Sequence, residues 1–271
     1  MCSLREDATM PMTVAEIQEM LRNADAGEFA VLERTLSADT RKGVRRAVEV
    51  ARRRLKAEEA ERARVDALYE YELELARDHK AETIVGLDEV GRGSIAGPLA
   101  VGAVVLSHEG RIPGLNDSKQ VKPEDREVIA QQVKREALAW SVFYVQPDVI
   151  DALGMTASLM RAFRGALQEV ESKGVHPDIV LLDGNPLHMD TREVNVVKGD
   201  AKCASIAAAS IVAKVERDAL MRRLSLEYPA YHWDECKGYA SPAHIKAIQE
   251  EGLSPLHRVS FCSAFLQETL F

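Results

Sequence analysis

Three places in this 271-residue chain put acidic side chains at the end of an apolar run and close to glycine. Asp88-Glu89 closes the run Thr83-Ile84-Val85-Gly86-Leu87. Asp183 closes Ile179-Val180-Leu181-Leu182 directly before Gly184, and Asp200 follows Val194-Asn195-Val196-Val197 directly after Gly199. A carboxylate in a buried strand is expensive unless it is paired or metal-bound. Strand ends next to glycines, where another chain can approach, are a reasonable place to build a site. If the runs are strands of one sheet, Asp88, Glu89, Asp183 and Asp200 come together. A carboxylate cluster without nearby His or Cys ligands favours hard cations, Mg²⁺ or Mn²⁺, over zinc. Such ions suit phosphoryl chemistry, where two metals activate a water and stabilise the leaving oxygen. Taken singly, each acid also reads as a loop or cap residue; the coincidence of three strand ends favours a site.

The elements that must position these acids change character near residue 80. Residues 1–78 hold many charges of both signs, a single proline and no alternating strand pattern, and read as a helical extension. Within it, Val44, Ala47, Val48, Ala51 and Leu55 form one apolar helix face. Around that face, Arg41, Lys42, Arg45, Arg46, Arg52, Arg53, Arg54 and Lys56 carry eight positive charges against the single Glu49. They read either as a solvated helix laced by ion pairs or as a basic stripe for a phosphate backbone. From residue 79 to 271 the pattern becomes α/β. Leu99–Leu106 and Trp140–Val145 are further strand candidates, and the wholly apolar Ile179–Leu182 reads as a central strand covered on both faces. Helices are expected from Pro123, over Leu159–Val170, over Ala204–Leu224 with its many small residues, and from Pro242 onward.

Gly91-Arg92-Gly93-Ser94-Ile95-Ala96 formally satisfies the dinucleotide-binding fingerprint G-x-G-x-x-G/A, with Asp117 about 20 residues further on. That mechanism needs a helix to open at the glycines. Pro98 and the β-rich run Val101–Leu106 follow instead, so the element reads as strand–turn–strand. Two acids directly before the glycines would also repel a pyrophosphate, and the dinucleotide reading is rejected.

Bulk composition points away from nucleic acid. Lys and Arg number 35 against 43 Asp and Glu, a net charge of −8, and aromatic residues are only 5%, which disfavours a base-stacking platform. Cys2, Cys203, Cys236 and Cys262 include no C-x-x-C pair, so reduced thiols are expected rather than structural zinc. No apolar run reaches the ~18–20 residues of a membrane span. Glu6 and Asp7 stand where a signal peptide would be basic, so a cytoplasmic chain is expected.

At the level of motifs the sequence resembles ribonuclease HII. Gly86-Leu87-Asp88-Glu89-Val90-Gly91-Arg92-Gly93 with Ala96-Gly97-Pro98 looks like that family's opening motif. Its later blocks are matched in order by Asn116-Asp117-Ser118-Lys119, Asp183-Gly184-Asn185, Lys198-Gly199-Asp200-Ala201-Lys202, the stretch Ser205–Asp218, Lys237-Gly238-Tyr239 and His257-Arg258-Val259-Ser260-Phe261. Arg92 in the glycine turn, where the related ribonuclease HIII has lysine, points to HII. The resemblance covers about residues 83–262, and the N-terminal part is similar to the helical extension of some bacterial members.

The resemblance implies an α/β, RNase H-like fold: a mixed central sheet flanked by helices, with a C-terminal helical region. It implies endonucleolytic cleavage of RNA in RNA–DNA hybrids and incision 5′ of ribonucleotides in duplex DNA by a monomer that needs no membrane. The family's catalytic metal ligands for Mn²⁺ or Mg²⁺ fall on Asp88, Glu89, Asp183 and Asp200. Its substrate contacts fall on Gly91, Arg92 and Gly93 and on a stacking tyrosine at Tyr239; Lys119 and Lys202 are expected at phosphates. Asp88 and Asp200 are expected at the ion that orients water, Asp183 and Glu89 at the ion near the leaving group. The sequence departs from the family at Leu153-Gly154-Met155-Thr156, where an asparagine is expected, at Cys203, at Ala240-Ser241 and at Val259. Two other readings stay open: a related metal-dependent deoxyribonuclease, and a hybrid-binding protein whose acids are structural.

Overall fold

The structure, a computed structural model, describes residues 12–265; Cys2, Glu6 and Asp7 lie outside the described residues. The chain divides into two compact units, residues 1–64 and 65–271.

The first unit opens with helices α1 (Val14–Asn23) and α2 (Ala26–Thr35). Each starts at a reciprocal cap, Thr13 with Glu16 and Asp25 with Glu28, in which side chains satisfy the backbone N–H groups of the first turn. A long helix α3 (Lys42–His79) begins in this unit. Its expected face of Val44, Ala47, Val48, Ala51 and Leu55 does bury, against Ile17, Leu21 and Phe29.

The second unit, which includes residues 65–79 of α3, holds a five-stranded mixed sheet in the order β3-β2-β1-β4-β5. The strands are β1 (Ile84–Val90), β2 (Leu99–Val105), β3 (Ala139–Val145), β4 (Ile179–Asp183) and β5 (Glu193–Val196). β1, β2 and β3 pair antiparallel, whereas β1, β4 and β5 run parallel. The expected strand–turn–strand at the glycines is therefore a hairpin-like pair. The intervening helices are α4 (Pro123–Glu136), α5 (Pro147–Leu153) and α6 (Met155–Glu171). They are followed by α7 (Ala204–Glu227), α8 (Trp233–Cys236), α9 (Pro242–Glu251) and α10 (Val259–Cys262).

Side chains alternate across a strand, so Val85, Leu87, Val101 and Ala103 face α6 through Leu159, Phe163 and Ala166. The opposite face receives α7. Its line of Ser205, Ala209, Ala213, Arg217 and Met221, four residues apart, lies along the sheet and the turn that follows β1. The approach is so close that a Cβ on Gly86 would lie 2.2 Å from the Ser205 backbone, and one on Gly102 would lie 2.5 Å from the Ala209 carbonyl. Small residues on both surfaces make this contact possible.

The N-terminus of α7 is capped from a distance. Glu72, on α3 and fully buried, accepts hydrogen bonds from the Ser205 N–H and hydroxyl, both at 2.7 Å. A carboxylate there meets free N–H groups and the positive end of the helix dipole. Val65, Leu68, Tyr69 and Ala76 on the same helix stretch join the cores beneath β2, β4 and α7.

Two details differ from the expectations. Asp88 and Glu89 do not end β1: they stand inside its ladder, opposite Gly102 and Val101, and Val90 is its last residue. The antiparallel partner β2 extends the pairing past the apolar run. Asp200 likewise is not on β5, which stops at Val196; it sits on a short 3₁₀ turn, Gly199–Ala201, entered through Lys198 at φ 58°.

Candidate active site

The parallel register brings the acids to one end of the sheet. Leu87 lies opposite Leu182, and one residue further the same register sets Asp88 beside Asp183. Asp183 in turn pairs with Val196, and the chain turns back through Gly199 to Asp200. The Gly199 N–H donates to an Asp183 oxygen at 2.6 Å, which ties the turn carrying Asp200 to the end of β4. The site thus sits beyond the carboxyl ends of parallel strands, where open α/β sheets hold their ligands.

The four carboxylates feel one another. Asp88 is 7% exposed, and burial, followed by the charges of Glu89, Asp183 and Asp200, pushes it up to about 8 against a hydrogen bond from Ser210. Burial raises Glu89 as well, with Arg92 opposing at 3.4 Å. Asp200 is raised by burial, then by Asp183 and Asp117. Lys119 reaches both Asp200, at 3.6 Å, and Asp117, at 3.7 Å; these carboxylates hold its ammonium above the ordinary value although burial pulls the other way.

The donor set suits a hard divalent cation: it consists of carboxylate oxygens, with no imidazole or thiol among the predicted ligands. A carboxyl held at about 8 by burial, with three further carboxylates adding to the shift, is a place where added positive charge stabilises the ionised form. Among the described residues, however, no three acidic, histidine or cysteine side chains already form a ready-made coordination shell. Glu89, Asp183 and Asp200 each turn toward a different cation or N–H group.

The glycine turn is built with equal care. Gly91 has φ +84° and is buried, whereas Arg92 and Gly93 are exposed and a Cβ on Gly93 would meet nothing within 4 Å. Two fully buried arginines brace the turn from below. Arg217 donates to the carbonyls of Pro98 and Lys237 and to the Ser94 hydroxyl, each at 2.9 Å. Arg258 donates to the carbonyls of Arg92, at 3.0 Å, and Gly97, at 2.9 Å. Burial pulls both guanidinium groups below their ordinary values, Arg258 to about 9.

Tyr239, 40% exposed, belongs to the same assembly, because the Gly238 carbonyl accepts the N–H groups of Ile95 and Ala96. Gly91, Arg92, Gly93 and Tyr239 are therefore on one scaffold, and Lys119 stands with the acids. Lys202 is exposed and makes no ion pair among the described residues. Reading by residue type misses Ser94, Arg217 and Arg258 as supports. The available signal is that Arg217 falls on the small-residue line of α7.

Some of the departures from the family pattern lie at structural positions. Asp151, just before Leu153-Gly154, accepts from the N–H groups of Val259 and Ser260. Ser241 caps α9, and Cys203 is buried, with its thiol pushed well up by burial. Cys203, Cys236 and Cys262 are free. Among the described residues no helix is long and apolar enough to cross a membrane.

In the first unit the basic segment is largely engaged within itself. Arg41 pairs with Asp39, Arg52 with Glu33 and Glu49, Arg53 with Glu49, and Arg54 with Glu58. Arg45 donates to the Asp39 carbonyl. Lys42, Arg46 and Lys56 are exposed and take no part in an ion pair among the described residues.

Comparison with known proteins agrees with this architecture. The family model described as ribonuclease HII matches residues 85–264, and the ribonuclease HII N-terminal domain matches residues 13–76. Ribonuclease HII of Halalkalibacterium halodurans is 38% identical over 92% of this chain and 94% of its own, and that of Solibacter usitatus is 43% identical over 73% and 84%. Among solved structures, ribonuclease H2 of Pyrococcus horikoshii superposes with a TM-score of 0.58 at 25% identity, covering 69% of this chain and all of that one. The Archaeoglobus fulgidus ribonuclease HII, solved in complex with PCNA, gives a TM-score of 0.58 at 27% identity over 69% of this chain and 98% of its own. Register, glycine turn and relatives agree: the chain belongs to the ribonuclease HII family and is a ribonuclease H hydrolase.

Proposed function

We propose that this chain cleaves the RNA strand of RNA–DNA hybrids internally and incises 5′ of single ribonucleotides embedded in duplex DNA, leaving 3′-hydroxyl and 5′-phosphate ends. The observation that carries the reading is the approach of Asp88, Asp183 and Asp200 at the carboxyl ends of the parallel strands, next to a glycine turn that is open at Gly93. Asp88 and Asp200 would hold one divalent ion, and Asp183 with Glu89 a second, Mn²⁺ or Mg²⁺ in each case. Such ions supply an activated water and neutralise charge on the leaving oxygen.

The chain's own groups do the selecting. The 2′-hydroxyl is what separates RNA from DNA, and the turn Gly91-Arg92-Gly93 leaves the backbone at the exposed Gly93 free of any side chain to approach it. Arg217 and Arg258 hold that turn in place before substrate arrives. Tyr239 offers an exposed ring for stacking on the nucleotide at the junction, and Lys119 and Lys202 offer cations to phosphates. In the basic segment, Lys42, Arg46 and Lys56 make no ion pair among the described residues and are offered to the duplex backbone.

The test is a pair of duplexes, one with a single embedded ribonucleotide and its all-DNA twin, incubated with the protein in Mn²⁺ and in Mg²⁺. The ribonucleotide strand is expected to be cut on the 5′ side of the ribose and the twin left intact. Equal cutting of both identifies a deoxyribonuclease instead, and binding without cutting in either ion identifies a non-catalytic protein.

A further inference from the structure

Beneath Tyr239 lies a pair of histidines with no part in the chemistry described above. His244, on α9, is fully buried and His257 is 2% exposed; their Nε2 atoms are 3.0 Å apart. The surrounding groups fix where each proton sits. The Ser254 N–H can only donate, and it points at His257 Nδ1 at 2.9 Å, so that nitrogen is bare. The neutral His257 ring then carries its proton on Nε2 and donates it to His244 Nε2. The Trp233 indole N–H, also a donor only, reaches the same His244 nitrogen at 3.0 Å. With Nε2 accepting, His244 carries its proton on Nδ1 and donates it to the Tyr239 carbonyl at 2.8 Å. One direction of donation runs from Ser254 through His257 and His244 to the backbone of Tyr239.

That carbonyl is the last of three in a row, each held by a different group. Lys237 C=O accepts from Arg217, and Gly238 C=O accepts from Ile95 and Ala96. The first two tie the segment to the glycine turn. The third also accepts the Ser241 N–H, at 2.8 Å, and through His244 it ties the segment to α9 at the residue whose ring is exposed. The Arg217 guanidinium lies 5.8 Å from the centre of that ring, so a small rotation of the Tyr239 peptide changes the face it presents.

We propose that His244 and His257 are positioning residues for substrate: through the Tyr239 carbonyl they set the orientation in which the ring receives the nucleotide. This rests on the stacking role given to Tyr239 above. Both rings must be neutral with the stated tautomers, and burial keeps them so.

The test is a cycle in the full chain, read as KM and kcat on the ribonucleotide-containing duplex. Stacking of a base on an aromatic ring is worth enough that Tyr239→Ala is expected to raise KM about tenfold. His257→Phe keeps the ring's volume but removes both nitrogens, and is expected to raise KM by a similar factor with kcat little changed. His257→Gln, whose amide restores a donor near the Nε2 position, is expected to recover most of the loss. In the Tyr239→Ala background, His257→Phe is expected to add nothing further.

If Tyr239→Ala leaves KM unchanged, the stacking reading itself falls. If it raises KM while His257→Phe does not, or if the two effects multiply in the double variant, the positioning proposal is overturned and stacking stands. ¹⁵N imidazole shifts of the unsubstituted protein at neutral pH check the wiring without any variant. Protons on His244 Nδ1 and His257 Nε2 are expected; the opposite tautomer at either ring overturns it.

Discussion

Replacing Gly91 by alanine tests whether the glycine turn is braced as described. The residue has φ +84°, and a Cβ there would lie 2.2 Å from Nε of Arg217, 2.6 Å from its Cζ and 2.9 Å from a terminal nitrogen. The left-handed backbone alone costs an alanine about 1–2 kcal/mol. Relief of the clash requires the guanidinium to withdraw, and it is held at 2.9 Å by Pro98, Lys237 and Ser94. A hydrogen bond from a charged group is worth about 1.5–3 kcal/mol, so losing two adds about 3–6. Gly91→Ala is therefore expected to lose at least about 4 kcal/mol, a large part of the 5–15 typical of a folded chain. Urea unfolding measures this as a lower midpoint at unchanged slope. Gly93→Ala is the control: with ordinary φ and nothing within 4 Å, it should stay within about 0.5 kcal/mol of the parent. A Gly91→Ala protein within about 1 kcal/mol of the parent, or equal losses for the two variants, refutes the bracing by Arg217.

Other consequences are as direct. Burial holds the Asp88 carboxyl protonated below about pH 8, so Asp88→Asn should raise the metal-free melting temperature only above that pH, while cleavage is lost. Added Mn²⁺ should then raise the melting temperature of the parent more than that of the variant; retained cleavage would contradict the assignment. His257 is held at about 4, below an ordinary 6.5, by burial and then by His244, against the Ser254 hydrogen bond. The fold thus requires a neutral ring, and its stability is complete above pH 6.5 and lost as pH falls through 4, by about 3 kcal/mol. Urea midpoints across that window should fall, and His257→Phe should flatten the fall. Replacing Lys42, Arg46 and Lys56 together by alanine should reduce the salt slope of duplex binding by about 2–3. An unchanged slope in a titration across salt concentrations would leave these three cations no part in holding phosphates.

Much of the fold is legible in the residues, for reasons that are local. Pro98 and the β-branched run after it exclude a helix at the glycines, and Ile179–Leu182, apolar on both faces, becomes the interior strand β4, while the central place goes to β1. The helix faces at Val44–Leu55 and Leu159–Val170 follow from periodicity alone. Asp88 and Asp183 are legible as neighbours because each directly follows an apolar run, and the two runs are parallel strands in one register. Asp200 is less so: β5 stops early and a left-handed Lys198 redirects the chain, which no strand pattern encodes. Arg217 and Arg258 are invisible by type, since arginine ordinarily reads as exposed. Their burial is a property of the carbonyls that converge on them from distant segments. The basic run from Arg41 to Lys56 misleads in the opposite sense. Asp39 and Glu33 neutralise part of it from outside the segment being counted.

The Glu72 cap has a practical consequence for dividing the molecule. A truncation after residue 75 or 78 looks natural, since composition changes there, but it takes Glu72 with it. The Ser205 N–H and hydroxyl would lose their carboxylate acceptor, and a hydrogen bond to a charged group is worth about 1.5–3 kcal/mol. Val65, Leu68 and Tyr69 would leave the core in the same cut. Loss of activity in such a fragment would report a damaged helix that begins four residues after Asp200, and would say nothing about duplex binding. A cut after Arg64, or surface substitutions in the intact chain, asks the binding question cleanly.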